Sequence, residues 1–143
     1  MKIRKKICFV VGARPNFVKA LPLFIQFNKM NSCENILLHT RQHYDYEMSD
    51  VFFENFNINS NIIQLSYDIK INSINLKSIR IAFYKKIKEI APDWIFIFGD
   101  VNSSLIAASV GKDLNIKIAH IESGLRSFDN TMIEEKNRIL IDN

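Results

Sequence analysis

Apolar residues fall along this chain in two alternating patterns. The first is a short, nearly unbroken run, seen at Lys6 to Val11, Asn35 to His39, Asn61 to Leu65, Trp94 to Phe98 and Ile116 to Ile121. Runs of that length, apolar on both faces, are what a strand buried within a parallel sheet requires. The second pattern recurs at helical spacing. It carries Phe17, Val18, Leu21, Phe24 and Ile25, then Met48, Phe52 and Phe56, then Ile79, Phe83, Ile87 and Ile90 with lysines opposite. Leu105 to Val110 continues it, and a last helical pattern opens at Thr131. Each predicted strand is thus followed by a predicted helix, five times over, with no internal repeat. That order predicts an α/β fold, a doubly wound parallel sheet with right-handed crossovers.

The punctuation agrees with the pattern. Gly12-Ala13 turns the chain, and Pro15 stands at the first helical position, where a missing N–H costs nothing; Pro22 should bend the same helix. Ala91-Pro92-Asp93 separates a helix from a strand. Asn102-Ser103-Ser104 is expected to cap the next helix and Gly111 to close it. Tyr67 to Ser78, rich in Asn, Ser and Ile and without glycine, predicts nothing definite.

In open α/β sheets, ligands bind beyond the carboxyl ends of the strands, so chemistry is sought in the residues that follow each run. Asp100 comes directly after one strand and Glu122 directly after the last. Ser123-Gly124 then turns into a polar loop with Arg126, Asp129 and Asn130, and the helix beyond carries Glu134, Glu135 and Arg138. Charges so concentrated point to a polar, anionic ligand. Arg14 and Lys19 flank the first strand-to-helix turn, where free N–H groups and the helix dipole favour anions, although the GxGxxG pattern is absent. His43, in another strand-to-helix loop, lies within reach of the same edge. Each residue also has a plainer reading. Glu134 and Arg138 make an ordinary i,i+4 pair, Arg14 and Lys19 serve the surface, Asp100 ends a turn, and His43 is a loop residue.

Composition narrows the classes. The 143 residues correspond to one domain, and 48% hydrophobic with 24% charged residues describes an ordinary soluble chain. No apolar run is long enough to span a membrane. The basic start followed by Ile7 to Val11 is too short for a signal peptide, so it reads as the first strand of a cytoplasmic protein. Cys8 and Cys33 lack CxxC spacing and are expected as reduced thiols. The net charge of +4 comes without an aromatic-plus-basic motif, so no nucleic-acid partner is expected. His120-x-Glu122 offers two donors on one strand, a poor metal site, and no metal is expected.

Four segments carry a family resemblance. They are VVGARPNFVKALPL at Val10 to Leu23, RQHYDYEMSDVFF at Arg41 to Phe53, PDWIFIFGDVNSSLIA at Pro92 to Ala107 and AHIESGLRSFDNTMIEEKNR at Ala119 to Arg138. In this order and spacing they resemble successive motifs of the non-hydrolysing UDP-N-acetylglucosamine 2-epimerases. The resemblance implies two Rossmann-like domains facing each other across a cleft, as in GT-B glycosyltransferases. Residues 1–143 then match an incomplete first domain, and the second domain, which brings a catalytic histidine, is absent. It implies interconversion of UDP-N-acetylglucosamine and UDP-N-acetylmannosamine by elimination and re-addition of UDP, without metal or redox cofactor. Asp100, Glu122 and Glu134 match the family's catalytic acids and Arg138 its active-site arginine, while Arg14 and Lys19 match substrate-binding positions; His43 is a substrate-binding candidate from its loop position. A homodimer or a separate second-domain polypeptide would be the partner, and the fragment alone is expected to be inactive. The alternatives are a non-catalytic remnant, a nucleotide-sugar-binding module and a hydrolysing 2-epimerase. Three positions depart from the family pattern. Ile133 replaces a proline, which is expected to shift the helix start; Arg41 replaces a glycine; and Asp68 to Ser78 replaces a glycine-rich stretch.

Overall fold

The computed structural model describes residues 4–42, 61–66 and 76–143. Within them five parallel strands are ordered β3-β2-β1-β4-β5: β1 Lys5–Val11, β2 Cys33–His39, β3 Ile62–Gln64, β4 Trp94–Phe98 and β5 Lys117–Ile121. Four helices accompany them: α1 Arg14–Met30, α2 Leu76–Ile90, α3 Asn102–Asp113 and α4 Ile133–Asp142. The sheet grows outward from β1 in both directions, with β2 on one side and β4 on the other. Such a reversal of winding opens a crevice at the carboxyl ends of the two strands beside it. The expected doubly wound α/β sheet is therefore present. The helix predicted around Met48 to Phe56, and His43, lie outside the described residues.

The two-residue period of a strand sorts the core into two layers. From β1, Ile7, Phe9 and Val11 join Phe17, Leu21 and Phe24 of α1 on one face. Cys8 and Val10 face the other way, into Ile79, Phe83 and Ile87 of α2 and Ile106, Ala107 and Val110 of α3. Phe9 anchors its layer, meeting the rings of Phe24 and Phe27 edge-on at centroid distances of 5.4 and 5.7 Å, a favoured geometry for aromatic pairs. Burial leaves the Cys8 thiol neutral, pushing it up to about 12.

Three local expectations change, and one helix carries an internal proline. Helix α1 runs on through Pro22, which lies exposed within it. Helix α3 takes no side-chain cap from Asn102, Ser103 or Ser104, because its cap residue is Val101. The serines work elsewhere: Ser104 Oγ donates to the Phe98 carbonyl at 2.8 Å, and Ser103 Oγ meets Thr40 Oγ1 at 2.6 Å. The Ser103 N–H is satisfied from another strand's loop, by Gln42 Oε1 at 2.8 Å. Gly111 lies inside α3 instead of closing it. A Cβ there would stand 2.9 Å from Ile118 Cδ1, so glycine sets how closely α3 approaches β5. Helix α4 begins at Ile133 and not at Thr131, since Asp129 binds the Thr131 N–H and hydroxyl at 3.0 and 2.6 Å in a turn of its own. Ile133 thereby occupies the first helical position, the one a proline would favour.

Gly12 closes β1 under tight constraint. A Cβ on it would lie 2.1 Å from Ser103 Oγ and 2.6 Å from Thr40 Oγ1, inside a buried polar cluster. Nearby, Arg41 adopts φ 57°, the left-handed conformation that glycine takes without steric cost.

His39, at the end of β2, is 4% exposed and packs edge-on against Phe17. Burial pushes its imidazole down to about 4, with the Arg41 charge acting in the same direction. Between pH 6.5 and about 4 the unfolded chain takes up a proton that the folded chain refuses. Stability should therefore fall by about 3 kcal/mol as the pH drops through that window. Urea denaturation at several pH values checks this. His39→Gln should flatten the dependence, and a wild-type profile already flat over that range would contradict it.

Candidate functional site

Three parallel strands, β1, β4 and β5, end side by side, and the turns beyond them bring charge together. After β4 the chain turns on Gly99, φ 66°, whose N–H donates to the Ile121 carbonyl at 3.2 Å. That bond sets the turn carrying Asp100 against the end of β5, which carries Glu122. Lys19, in the second turn of α1, reaches over from β1's side and binds Glu122 Oε2 at 2.8 Å. A Cβ built on Gly99 would lie 3.4 Å from that same oxygen and 3.7 Å from Lys19 Nζ. The ion pair thus sits directly over the β4 turn.

Glu122 has φ 77°, a left-handed backbone for a residue with a side chain. That conformation costs about 1–2 kcal/mol, and such strain is concentrated where geometry serves function. Asn16 fixes the other side of the crevice. Its Oδ1 accepts the N–H groups of Gly12 and Ala13 at 3.1 and 3.2 Å, while its Nδ2 donates to the Phe98 carbonyl at 2.8 Å.

Helix α4 closes the site. Arg138 Nη2 binds the Asp100 carboxylate, and Nη1 binds Glu135 Oε2 at 2.7 Å. Asn137 Nδ2 donates to the Asp100 carbonyl at 2.9 Å and to Asn102 Oδ1 at 3.0 Å. The Asp100 hydrogen bond foremost raises the Arg138 pKa against the opposing effect of burial, with the charges of Asp100, Glu135 and Glu122 adding to it. Glu122 and Asp100 therefore share one electrostatic neighbourhood with Arg138.

Of the residues expected from sequence, Asp100, Glu122, Lys19 and Arg138 come together here. Arg14 is exposed at the start of α1, and Glu134 is exposed on α4, with no hydrogen bond to another described residue. The i,i+4 pairing of Glu134 with Arg138 is not made. Glu135 takes that place at i,i+3. Glu135 is 2% exposed and also accepts the N–H groups of Ser127 and Phe128 at 3.0 and 3.3 Å. Glu135 and Asn137 are the residues that sequence reasoning missed. The only signal for Glu135 was its membership of a glutamate pair, and nothing local indicated which member faces inward. Among the described residues no group of three or more His, Cys, Asp and Glu is placed to hold a metal, and no helix is long and apolar enough to cross a membrane.

The Ser127 N–H, ahead of the opposing effect of burial, and then the Phe128 N–H hold the Glu135 carboxyl below the usual carboxylate range. Its stabilising effect is therefore complete above pH 4.5 and is lost as the pH falls through the lowered value. Glu135→Gln should lower the thermal midpoint by roughly 5 °C or more, whereas Glu134→Gln should leave it nearly unchanged. Equal effects in calorimetry would refute this division of labour.

Comparison with known proteins bears on the family and the fold. The family model described as UDP-N-acetylglucosamine 2-epimerase matches residues 26–143. A UDP-N-acetylglucosamine 2-epimerase homolog of Methanococcus maripaludis is 43% identical over 141 residues, covering 96% of this chain and 38% of the relative. The UDP-2,3-diacetamido-2,3-dideoxy-D-glucuronate 2-epimerase of Pseudomonas aeruginosa is 36% identical over 137 residues, covering 96% and 39%. The crystal structure of the Methanocaldococcus jannaschii UDP-GlcNAc 2-epimerase, in complex with UDP-GlcNAc and UDP, superposes with a TM-score of 0.85 at 34% identity, covering 96% and 38%. This chain spans a little under two fifths of the length of these relatives. With four fifths of its residues inside the family model and a matching fold, it belongs to the UDP-N-acetylglucosamine 2-epimerase family.

Proposed function

We propose that this chain supplies the first, Rossmann-like domain of a 2-epimerase acting on UDP-N-acetylglucosamine. The observation that carries the reading is the convergence of Asp100, Glu122, Lys19 and Arg138 at the carboxyl ends of β4 and β5. The C2 proton of the sugar has no neighbouring carbonyl to acidify it. Breaking the C1–O bond sends an electron pair out with UDP and leaves positive character on C1, which acidifies that proton. A carboxylate then takes it, a C1–C2 double bond forms, and UDP adds back as a proton arrives on the opposite face. This chemistry needs carboxyl groups that exchange protons with carbon and cations that meet the leaving diphosphate.

Asp100 and Glu122 fit the first requirement, and Lys19 and Arg138 fit the second. Each cation has a carboxylate neighbour, so an incoming diphosphate that takes the cation releases that carboxylate from its ion pair and frees it to accept a proton. Glu134 and Arg14, both exposed, are proposed to act on the outer part of the substrate, together with His43. The facing half of the cleft is proposed to come from a second domain in a GT-B arrangement. On that view the chain binds nucleotide sugar but does not turn it over by itself.

A second reading keeps the reaction and changes the sugar. It is favoured by the 36% identity to the Pseudomonas aeruginosa enzyme, whose substrate by name is a diacetamido uronate.

Joining this chain to the remaining portion of the Methanocaldococcus jannaschii enzyme tests the proposal. In deuterated water the fusion should convert UDP-N-acetylglucosamine to the manno epimer with deuterium at C2, while the chain alone gives no product. Glu122→Gln should slow the fusion by about 100-fold or more. Turnover by the lone chain would reject the half-site view, and an unaffected Glu122→Gln fusion would reject the assignment of Glu122. Running the diacetamido uronate in parallel decides between the two sugars.

A further inference from the structure

His120 lies on β5 two residues before Glu122, and its side chain is 8% exposed. Its two ring nitrogens face two acceptors. Nε2 stands 2.8 Å from the Gly99 carbonyl oxygen, and Nδ1 stands 2.7 Å from Asp142 Oδ1 in the last turn of α4. A carbonyl oxygen only accepts, so Nε2 carries a hydrogen. Asp142 Oδ2 already receives the Gly124 N–H at 2.9 Å and Arg126 Nη1 at 2.7 Å. Burial opposes ionisation of Asp142, but the bonds from Arg126, Gly124, His120 and Ser123 outweigh it and hold its pKa below the usual carboxylate range. An ionised carboxylate has no hydrogen to give, so Nδ1 must donate as well.

We propose that His120 is a buried imidazolium that pins the Gly99–Asp100 turn to the last turn of α4, making it a positioning residue for the Asp100–Arg138 pair. The pin joins three places separate in sequence: the turn after β4, strand β5 and the far end of the helix that carries Arg138. Asn137 and Arg138 hold that helix to Asp100 through its middle, and His120 with Asp142 holds it at its end. Two separated attachments fix the orientation of the helix as well as its distance, which one attachment does not. The other charges at this edge are partnered: Arg126 with Asp142, Arg138 with Asp100 and Glu135, and Lys19 with Glu122. The imidazolium and the Arg126 guanidinium take opposite oxygens of the Asp142 carboxylate, Oδ1 and Oδ2. The positioning role rests on the functional reading above, whereas the charge on the ring does not.

Long-range proton–nitrogen correlation spectra of the labelled chain at pH 7 read the ring directly. Both nitrogens of His120 should appear as N–H, while His39, neutral at that pH, shows one bare nitrogen and serves as the internal reference. Asp142→Asn should convert His120 to the neutral form with hydrogen on Nε2. It should also weaken the Gly99 N–H bond to Ile121, seen as amide exchange at Gly99 at least about tenfold faster, and shift the Arg138 Nε–H signal. A bare ring nitrogen on His120 in the wild-type chain would overturn the imidazolium. Unchanged Gly99 exchange and Arg138 signals in the variant would overturn the positioning role. Should Asp142→Asn fail to fold, the wild-type spectrum still decides the charge, and His120→Gln, which keeps a donor but no cation, decides the positioning. A chain that shows the imidazolium yet binds no UDP-N-acetylglucosamine would fail the functional reading and leave the pin standing.

Discussion

The bond between the Asp100 carboxylate and the Arg138 guanidinium joins residues thirty-eight positions apart and determines where α4 lies. It acts together with the Asn137, Glu135 and Asp142 contacts of the same helix. Its buried residues are Glu135 and Asn137, both polar, while Ile133 and Leu140 are exposed. Most helices dock by burying an apolar stripe, as α2 does with Ile79, Phe83, Ile87 and Ile90. With Ile141 packed against the apolar core, helix α4 buries polar residues instead and docks mainly by charge and hydrogen bonds. Such contacts are directional and leave a buried polar group costly if unmade, so they specify orientation more sharply than apolar packing does. The same groups that attach the helix are the ones proposed to meet substrate.

This arrangement couples structure to chemistry at the sheet edge. The turn after β4 is held from three sides: by Ile121 through the Gly99 N–H, by Asn137 through the Asp100 carbonyl, and by His120 through the Gly99 carbonyl. On the other side of Gly99, Lys19 and Glu122 pair above it. A diphosphate competing for the cations paired with these carboxylates would change the surroundings of Asp100 and Glu122 together. Under the proposed function, binding and activation of the proposed acid–base groups would be one event.

The sheet was legible in the sequence because parallel strands buried on both faces leave continuous apolar runs. The strand-end rule then pointed to Asp100 and Glu122 without further information. Lys19 and Arg138 followed from their proximity to those ends. What stayed hidden depended on contacts across the fold. Gln42 caps α3 from sixty-one residues away, so the local Asn-Ser-Ser signal misled. Gly111 looked like a helix stop, but its purpose is the close approach of Ile118. The choice between Glu134 and Glu135 depends on which way the helix is turned, and the loop N–H groups of Ser127 and Phe128 decide it. The departure at Arg41 was legible as a glycine position, and its φ of 57° agrees.

The central claim is that the strand-end carboxylates and the two cations beside them form one anion-accepting site. Titrating UDP, to millimolar concentration, into the labelled chain while following backbone amides tests it most directly. The signals of Gly99 and Asp100, of Glu122 to Gly124, and of Gly12 to Arg14 should move together along one binding curve. Signals that stay still in those three turns, or that move only at a distant surface, would contradict it.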